Sequence, residues 1–439
     1  MKRPLVLRKI TLPAELTSEQ VNALLPRAQT SIESVSEAVS EIIREVREQG
    51  EDALRAHAQK FDGVVPASFR VSKAEIEKAL NQTPESLRHA ITEAIERVRR
   101  VSEANLPAAT HVEIESGAVV ATRHIPVDSV GLYVPGGKAV YPSSVIMNAV
   151  PAQVAKVPRI AVASPAQKEN GGLPNATILA TCALLGIEEV YAIGGATAVA
   201  AFAHGIPAIG LDPVRLVTGP GNIYVAAAKR LLRGQIGIDS EAGPTEILIL
   251  ADETANPAYV AADLISQAEH DENAAAVLVT TSAELIAAVE AEVQSQVARA
   301  DNKGRIEAAL AGEQSALALA NSLEQAILVA NEYATEHLEI HTRNAFEVAN
   351  RITNAGAVFV GDYSPVSLGD YLAGSNHVLP TSQQAKFGPG LGVHTFLRPQ
   401  QRIEYTKSAL QKVAESLDTF ANAEGLGAHG TAAKIRFEG

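Results

Sequence analysis

Gln267 and His270 stand three residues apart in DLISQAEHDE (263–272), an amide and an imidazole with acids on either side. The run reads as a helix. Asn256 can cap it, and Pro257 sits where a missing N–H costs nothing. Val260, Ala261, Leu264, Ile265 and Ala268 recur at helical spacing and make one apolar stripe. Gln267 lies near the edge of that stripe and His270 about 60° further round, so the two can converge beside a buried face. Alone, Q-x-x-H reads far more readily as the solvated edge of a helix.

ATEHLEIHT places Glu336 and His337 immediately before a short strand. A carboxylate beside an imidazole offers two proton-transfer groups usable near neutral pH, although E-H is a common dipeptide. SLGDYLAGSNHVLPT joins Asp370, Asn376 and His377 in a glycine-containing stretch with little apolar material to make it core. Histidine, aspartate and an amide oxygen are acceptable zinc ligands, whereas magnesium or manganese prefers more oxygens. Two glycine turns, GLYVPGG (Gly131–Gly137) and TGPGN (Thr218–Asn222), each follow a strand and lead towards a helix. Backbone N–H groups at such turns can approach a nucleotide's phosphates. Neither turn matches G-x-G-x-x-G, so ordinary strand-to-helix connections remain open.

The elements that must position these residues alternate along the chain. Ser31–Gln49 carries Ile32, Val35, Val39, Ile42, Ile43 and Val46 at spacings of three and four before Gly50, and helical patterns continue to about residue 104. From about Pro126, VGLYVPGG, RIAVASP, EEVYAIGG and VRLVTG alternate with Ala-rich helical runs. After Ile238 the same alternation resumes with TEILILAD, AAAVLVTTS, HLEIHT and AGAVFVGD. This pattern predicts parallel sheets in two α/β blocks. From about Leu391 a tail follows, with a helix near Ser408–Ala421 and a glycine-rich end, GLGAHG. So short a segment can scarcely bury a core of its own, which points to packing on something else, such as a second subunit.

With 439 residues, 46% of them hydrophobic and 20% charged, the chain has material for two or three domains. Its 37 basic and 50 acidic residues leave a net charge of −13, which argues against general binding to nucleic acid or anionic membranes. No apolar run approaches the roughly 20 residues a bilayer span requires. MKRPLVLRKITLPAEL does not read as a signal peptide. Cys182 is the only cysteine, which excludes an intramolecular disulfide and cysteine-based zinc sites and suits the cytoplasm.

The stretch Ile238–His270, IDSEAGPTEILILADETANPAYVAADLISQAEH, resembles the signature of the histidinol dehydrogenase family. The resemblance runs along essentially the whole chain through GLYVPGG, GPGN with the following AAAKR, EHLEI, GDY then SNHVLPT, and an acid five residues before a histidine near the end. It implies oxidation of L-histidinol to L-histidine through L-histidinal, in two consecutive NAD-dependent steps with one bound Zn2+ per subunit. It also implies zinc ligands Gln267, His270, Asp370 and His429 and an acid–base pair Glu336 and His337. Thr245, His377 and Glu424 take substrate-contacting positions beside the ligands and His337, and Tyr133 and Asn222 take NAD contacts. Thr197 stands where the family usually has a glutamine contacting NAD, and its shorter side chain leaves room for a bridging water.

The implied fold is two Rossmann-like α/β domains, with small N-terminal and C-terminal extensions that pack on a homodimer partner. The expected parts are an N-terminal extension over 1–24, a larger domain of 25–131 with 246–389, an NAD domain over 132–245, and a tail over 390–439. In the family the tail positions Glu424 and His429 serve the partner's site. One rival reading is a paralogue oxidising another hydroxymethyl compound such as a sulfonated diol, against which Glu424, His377 and His429 together argue. A zinc hydrolase, the other rival, leaves the two glycine turns without a task.

Overall fold

The computed structural model describes residues 5–25, 27–28, 32–136, 140–241 and 243–438. Ser31 at the start of the first expected helix and Gly137 at the end of the first glycine turn lie outside the described residues, as do residues 1–4 of the N-terminal extension.

Among the described residues the strands form three sheets. Six parallel strands line up in the order Lys9–Thr11, Ala316–Leu319, Ala275–Thr280, Glu246–Ala251, His337–His341, Ala357–Val360. The strand Glu246–Ala251 is buried throughout, because helices cover both sides of the sheet. Successive side chains of a strand alternate between faces. Ile247 and Ile249 accordingly join the core under helices Pro257–Ala268 and Ala283–Val297, while Leu248 and Leu250 join the opposite core with helix Leu323–Tyr333. Asn256 caps Pro257–Ala268 as its sequence predicts, its side chain accepting the Ala258 N–H at 2.9 Å.

The second sheet has five parallel strands, in the order Val190–Ala192, Arg159–Ser164, Ser129–Tyr133, Leu216–Thr218, Gly237–Ile238. Val130, Leu132 and Val162 face a core shared with helices Lys73–Gln82, Glu85–Ala104, Pro142–Val154 and Ala176–Leu184. Tyr133, Ala161 and Ala163 face the other core, shared with Ser36–Gln49, Gly195–His204 and Ile223–Leu232. The helical segment 36–104 therefore covers the five-stranded sheet, not the six-stranded one with which the sequence reading grouped it. An apolar stripe demands a cover without naming which.

Two further corrections concern the extensions. The N-terminal segment does not stand apart: Lys9–Thr11 pairs with Ala316–Leu319, and Leu7, Leu12, Val21 and Leu25 enter the cores of the six-stranded sheet of the same chain. The tail begins with an unforeseen strand, Leu397–Tyr405, antiparallel to Ala118–Pro126, which itself pairs with Thr110–Glu115. This third sheet is mostly exposed, so its strands lack the buried alternation that would have marked them. The tail then continues as helices Lys407–Ala423 and Gly427–Lys434, which pack on each other.

The second glycine turn is held from beneath. Gly219 has φ +119°, and a Cβ there would run into the Tyr133 carbonyl oxygen, so glycine is required. Its N–H donates to Asp239 at 2.8 Å, while Lys229 donates to the Gly219 carbonyl at 2.5 Å and pairs with Asp239 at 2.6 Å. Lys229 and Asp239 are both almost wholly buried. Lys229→Met strands a buried carboxylate and is expected to lower the unfolding free energy by about 3 kcal/mol, measured by urea denaturation. Combining it with Asp239→Asn should recover part of that loss.

Candidate active site and dinucleotide cleft

The residues expected to carry chemistry gather at the amino ends of two adjacent central strands. His337 pairs in register with Ile247, which brings Glu336 and His337 alongside Thr245 and Glu246. The backbone of Glu246 engages both: its N–H donates to Glu336 Oε2 at 3.0 Å, and its carbonyl lies 3.1 Å from His337 Nδ1. A carbonyl can only accept, so Nδ1 carries a proton, and in the neutral ring the lone pair then lies on Nε2. Nε2 is buried and has no partner among the described residues. In its neutral form His337 would therefore present the free nitrogen that a general base requires.

Glu336 is buried, and burial pushes its carboxyl up to about 7, against the opposing effects of His337, Thr245 and the Glu246 N–H. Thr245 donates its hydroxyl to Glu336 Oε2 at 2.5 Å and accepts from Gln267 Nε2 at 2.6 Å. With Glu336 ionised, the single hydroxyl proton of Thr245 is committed to it, so Gln267 has to offer its N–H. That turns Gln267 Oε1 the other way, where it is buried without a partner.

Gln267 ends helix Pro257–Ala268 and His270 follows it, where the helix's carbonyl end favours a cation. His270 Nε2 and Asp370 Oδ2 are 3.8 Å apart, too far for a hydrogen bond and close enough to share one ion. Burial lowers the pKa of His270 although Asp370 opposes the shift, which keeps the ring neutral as a ligand. The imidazole of His270 facing the Asp370 carboxylate, with the orphaned amide oxygen of Gln267 three residues before it, is a donor set that fits zinc. His377 meets the same group: its Nδ1 lies 3.1 Å from the Asp370 carbonyl and its Nε2 3.3 Å from Ser144 Oγ. Asn376 fastens this loop to the other core by donating to the Met147 carbonyl at 2.6 Å.

Glu424 and His429 are not brought in by their own chain. Glu424 closes one tail helix and His429 lies on the other, and both are exposed.

Tyr133, Thr197 and Asn222 line one cleft of about 660 Å³ at the carboxyl ends of the five-stranded sheet, where open parallel sheets bind ligands. The Tyr133 hydroxyl accepts the Gly195 N–H at 3.1 Å, and Asn222 caps helix Ile223–Leu232. Thr197 is held from behind while it lines the cleft. Its hydroxyl meets His57 Nδ1 at 3.0 Å, and His57 Nε2 meets Glu45 at 2.8 Å.

The histidinol dehydrogenase family model matches residues 25–437. The chain belongs to this family. It is 55% identical over 415 residues to the histidinol dehydrogenase of Leifsonia xyli subsp. xyli, covering 94% of this chain and 95% of that one. It is 51% identical over 439 residues to that of Mycobacterium tuberculosis, covering 99% of each. The crystal structure of histidinol dehydrogenase from Elizabethkingia anophelis matches with a TM-score of 0.93 at 31% identity, covering 98% of each chain. The cofactors of the family are NAD and zinc, and they are those of this chain.

Sequence reasoning missed several groups that contact the candidate site residues. Ser144 and the Glu246 backbone are among them, and nothing in their local sequence marks them. A second buried group, Asp263, Glu339 and His341, has its ligand-type atoms within 4.8 Å of one another. Glu339 accepts the Val366 N–H at 2.6 Å, at the start of the helix that carries Asp370. Burial and the adjacent Glu339 push the Asp263 carboxyl up. The period-two run HLEIH was the available signal, since it sets His337, Glu339 and His341 on one face.

Thr245→Val removes the hydroxyl between Gln267 and Glu336 and frees the amide to rotate. Zinc affinity, measured by dialysis against a competing chelator, should fall about 10–100-fold, and Thr245→Ser should restore it.

Proposed function

We infer that this chain oxidises L-histidinol to L-histidine through L-histidinal, consuming two NAD+, with Glu336 and His337 as its proton-transfer pair. The observation that carries the reading is the buried, unpartnered Nε2 of His337, fixed beside a carboxyl poised near neutrality. When bound, NAD accepts the hydride of each step, and zinc orients and polarises the substrate. Gln267, His270 and Asp370 would hold that zinc, with His429 completing the set; Tyr133 and Asn222 would line the dinucleotide's site.

In the first oxidation His337 Nε2 takes the hydroxyl proton as the carbinol hydride departs. The aldehyde then adds water, whose proton Glu336 accepts; the hydrate anion loses the second hydride to give the acid, which releases its remaining proton to solvent as the carboxylate. Cys182 takes no part: it is buried in helix Ala176–Leu184 and burial pushes its thiol up to about 12. A thiohemiacetal route therefore has no nucleophile. His377 and Thr245 border the substrate and Glu424 closes over it.

The working unit in this reading is a homodimer in which Glu424 and His429 come from the partner's tail. Their exposure supports it, as do the bare apolar side chains of the tail: Phe420 is 73% exposed, Ile403 67% and Ile435 59%. A cytoplasmic address rests on the lone thiol and the biosynthetic reaction; no helix of the described residues is long and apolar enough to cross a membrane.

NADH absorbance, followed separately from histidinol and from histidinal by rapid mixing, tests the division of labour. Glu336 accepts a proton only when ionised, so the histidinal step should speed up as pH rises through its pKa. That limb lies at about 7 or lower, because a nearby divalent cation favours the ionised form. Glu336→Gln should abolish the limb and slow the histidinal step by about 10²–10⁴-fold, with a much smaller effect on the histidinol step. Equal slowing of both steps would contradict the assignment.

Shared sites make a second prediction. His429→Asn and His337→Asn should each be nearly inactive alone. After subunit exchange, one site of every heterodimer collects both defects and the other none, so each heterodimer should regain about half the activity of a wild-type dimer. Exchange proven by mass-labelled subunits, without recovered activity, would exclude the partner's contribution.

A further inference from the structure

Glu339 and His341 lie on the same face of their strand as His337, and in register with Glu339 on the neighbouring strand is Ile249. That side of the sheet is otherwise apolar core, made by Ile247, Ile249, Val260, Leu264 and Val366. Into it are set Glu339, with no exposed surface, His341, 2% exposed, and Asp263 from helix Pro257–Ala268. Apolar side chains of like volume would hold such a core as well or better. What apolar contacts lack is direction, and these groups supply it.

The bonds run between separate elements. His341 Nδ1 lies 3.3 Å from Asp362 Oδ1, and its Nε2 lies 3.4 Å from Glu339 Oε2 and 3.9 Å from Asp263 Oδ2. Glu339 Oε1 accepts the Val366 N–H at 2.6 Å, at the first residue of helix Val366–Tyr371. Among the described residues no buried nitrogen or oxygen of Asp263, Glu339 or His341 is left without a partner, in contrast to Gln267 Oε1. The three side chains spend their polar atoms on one another and on the backbone, as a fastening does.

Each end of this fastening lies directly behind a residue of the candidate site. Asp263 is one helical turn before Gln267, Glu339 is one pleat beyond His337, and Val366 is one turn before Asp370. The helix that carries Asp370 also lies hard against the sheet, since a Cβ on Gly369 would stand 2.6 Å from the Phe359 ring. We propose that Glu339, held by Asp263 and His341, is a positioning residue for the zinc ligands, fixing through the Val366 N–H where Asp370 stands relative to Gln267. This rests on Gln267, His270 and Asp370 being zinc ligands.

Zinc affinity against a competing chelator tests the assignment, together with the visible absorption of the cobalt-loaded protein, whose bands report ligand geometry. Glu339→Leu should weaken zinc about 10–100-fold and shift the cobalt bands. Glu339→Gln keeps an oxygen for the Val366 N–H and should return most of both. Val366→Pro deletes the donor at a first helical position, where proline is tolerated, so it tests the same bond even if Glu339→Leu fails to fold. It should weaken zinc to a similar degree, and the double variant should be no worse than the weaker single one. A folded Val366→Pro with the parent's zinc affinity and cobalt bands would overturn the assignment, as would losses that simply add in the double variant. So would a second metal ion per subunit that vanishes in His341→Gln, since the three side chains would then be a metal cage. Asp370→Asn checks the reading beneath: if it binds zinc as the parent does, the ligand set is wrong and the positioning role falls with it. If Asp370→Asn loses zinc while the Glu339 and Val366 variants keep it, the ligand set stands and only the positioning role is lost.

Discussion

The peptide unit of Glu246 gives its N–H to Glu336 and takes the proton of His337 Nδ1 on its carbonyl. Two side chains with different tasks are thus oriented by one rigid group, which is itself anchored in the parallel ladder between the two central strands. A slip of one residue in that ladder would turn His337 to the opposite face and deliver the wrong backbone groups. The buried run EILILA resists such a slip, because every second residue is committed to a packed core. Catalytic geometry here is a consequence of sheet register.

Holding ionisable groups in so apolar a place needs compensation. The Glu246 side chain is buried too, and it pairs with Arg27, whose guanidinium lies 3.8 Å over the Tyr333 ring. The Ser382 N–H reaches the other oxygen of Glu246 at 3.2 Å. This pair neutralises a charge that would otherwise push Glu336 further up. It also recruits the N-terminal segment and the loop after SNHVLPT to the underside of the site, so distant parts of the chain share one electrostatic arrangement.

The candidate site lies at the amino ends of the six-stranded sheet, whereas the cleft proposed for the dinucleotide lies at the carboxyl ends of the five-stranded one. Ligands of open parallel sheets favour the carboxyl ends, so the second sheet follows the rule and the first departs from it. The departure has a physical reason. Helix Pro257–Ala268 runs back from the carboxyl end of its strand, and its carbonyl terminus, with Gln267 and His270, arrives at the amino end of the sheet. A helix terminus of that polarity suits a cation. Asn376 and His377 bridge from Asp370 to Met147 and Ser144, tying the metal-side loop to the helix that follows the glycine turn.

Periodicity placed eight parallel strands and the Asn256-capped helix, because buried strands and amphipathic helices carry their burial in residue type, but it missed the short strands Lys9–Thr11, Ala316–Leu319 and Gly237–Ile238. The residue types of Gln267, His270, Glu336, His337, Asp370 and His377 likewise announce their chemistry. What sequence could not decide is which surfaces meet. Helices 36–104 carry apolar stripes that would suit either sheet, and only packing assigns them to the five-stranded one. The exposed third sheet has no buried face and so no periodic mark. Glu246 acts through its backbone, Lys229 through the carbonyl of a glycine 10 residues away, and Thr197 through a histidine 140 residues away. Residue type says what a side chain can do; tertiary contact decides with which partner it does it.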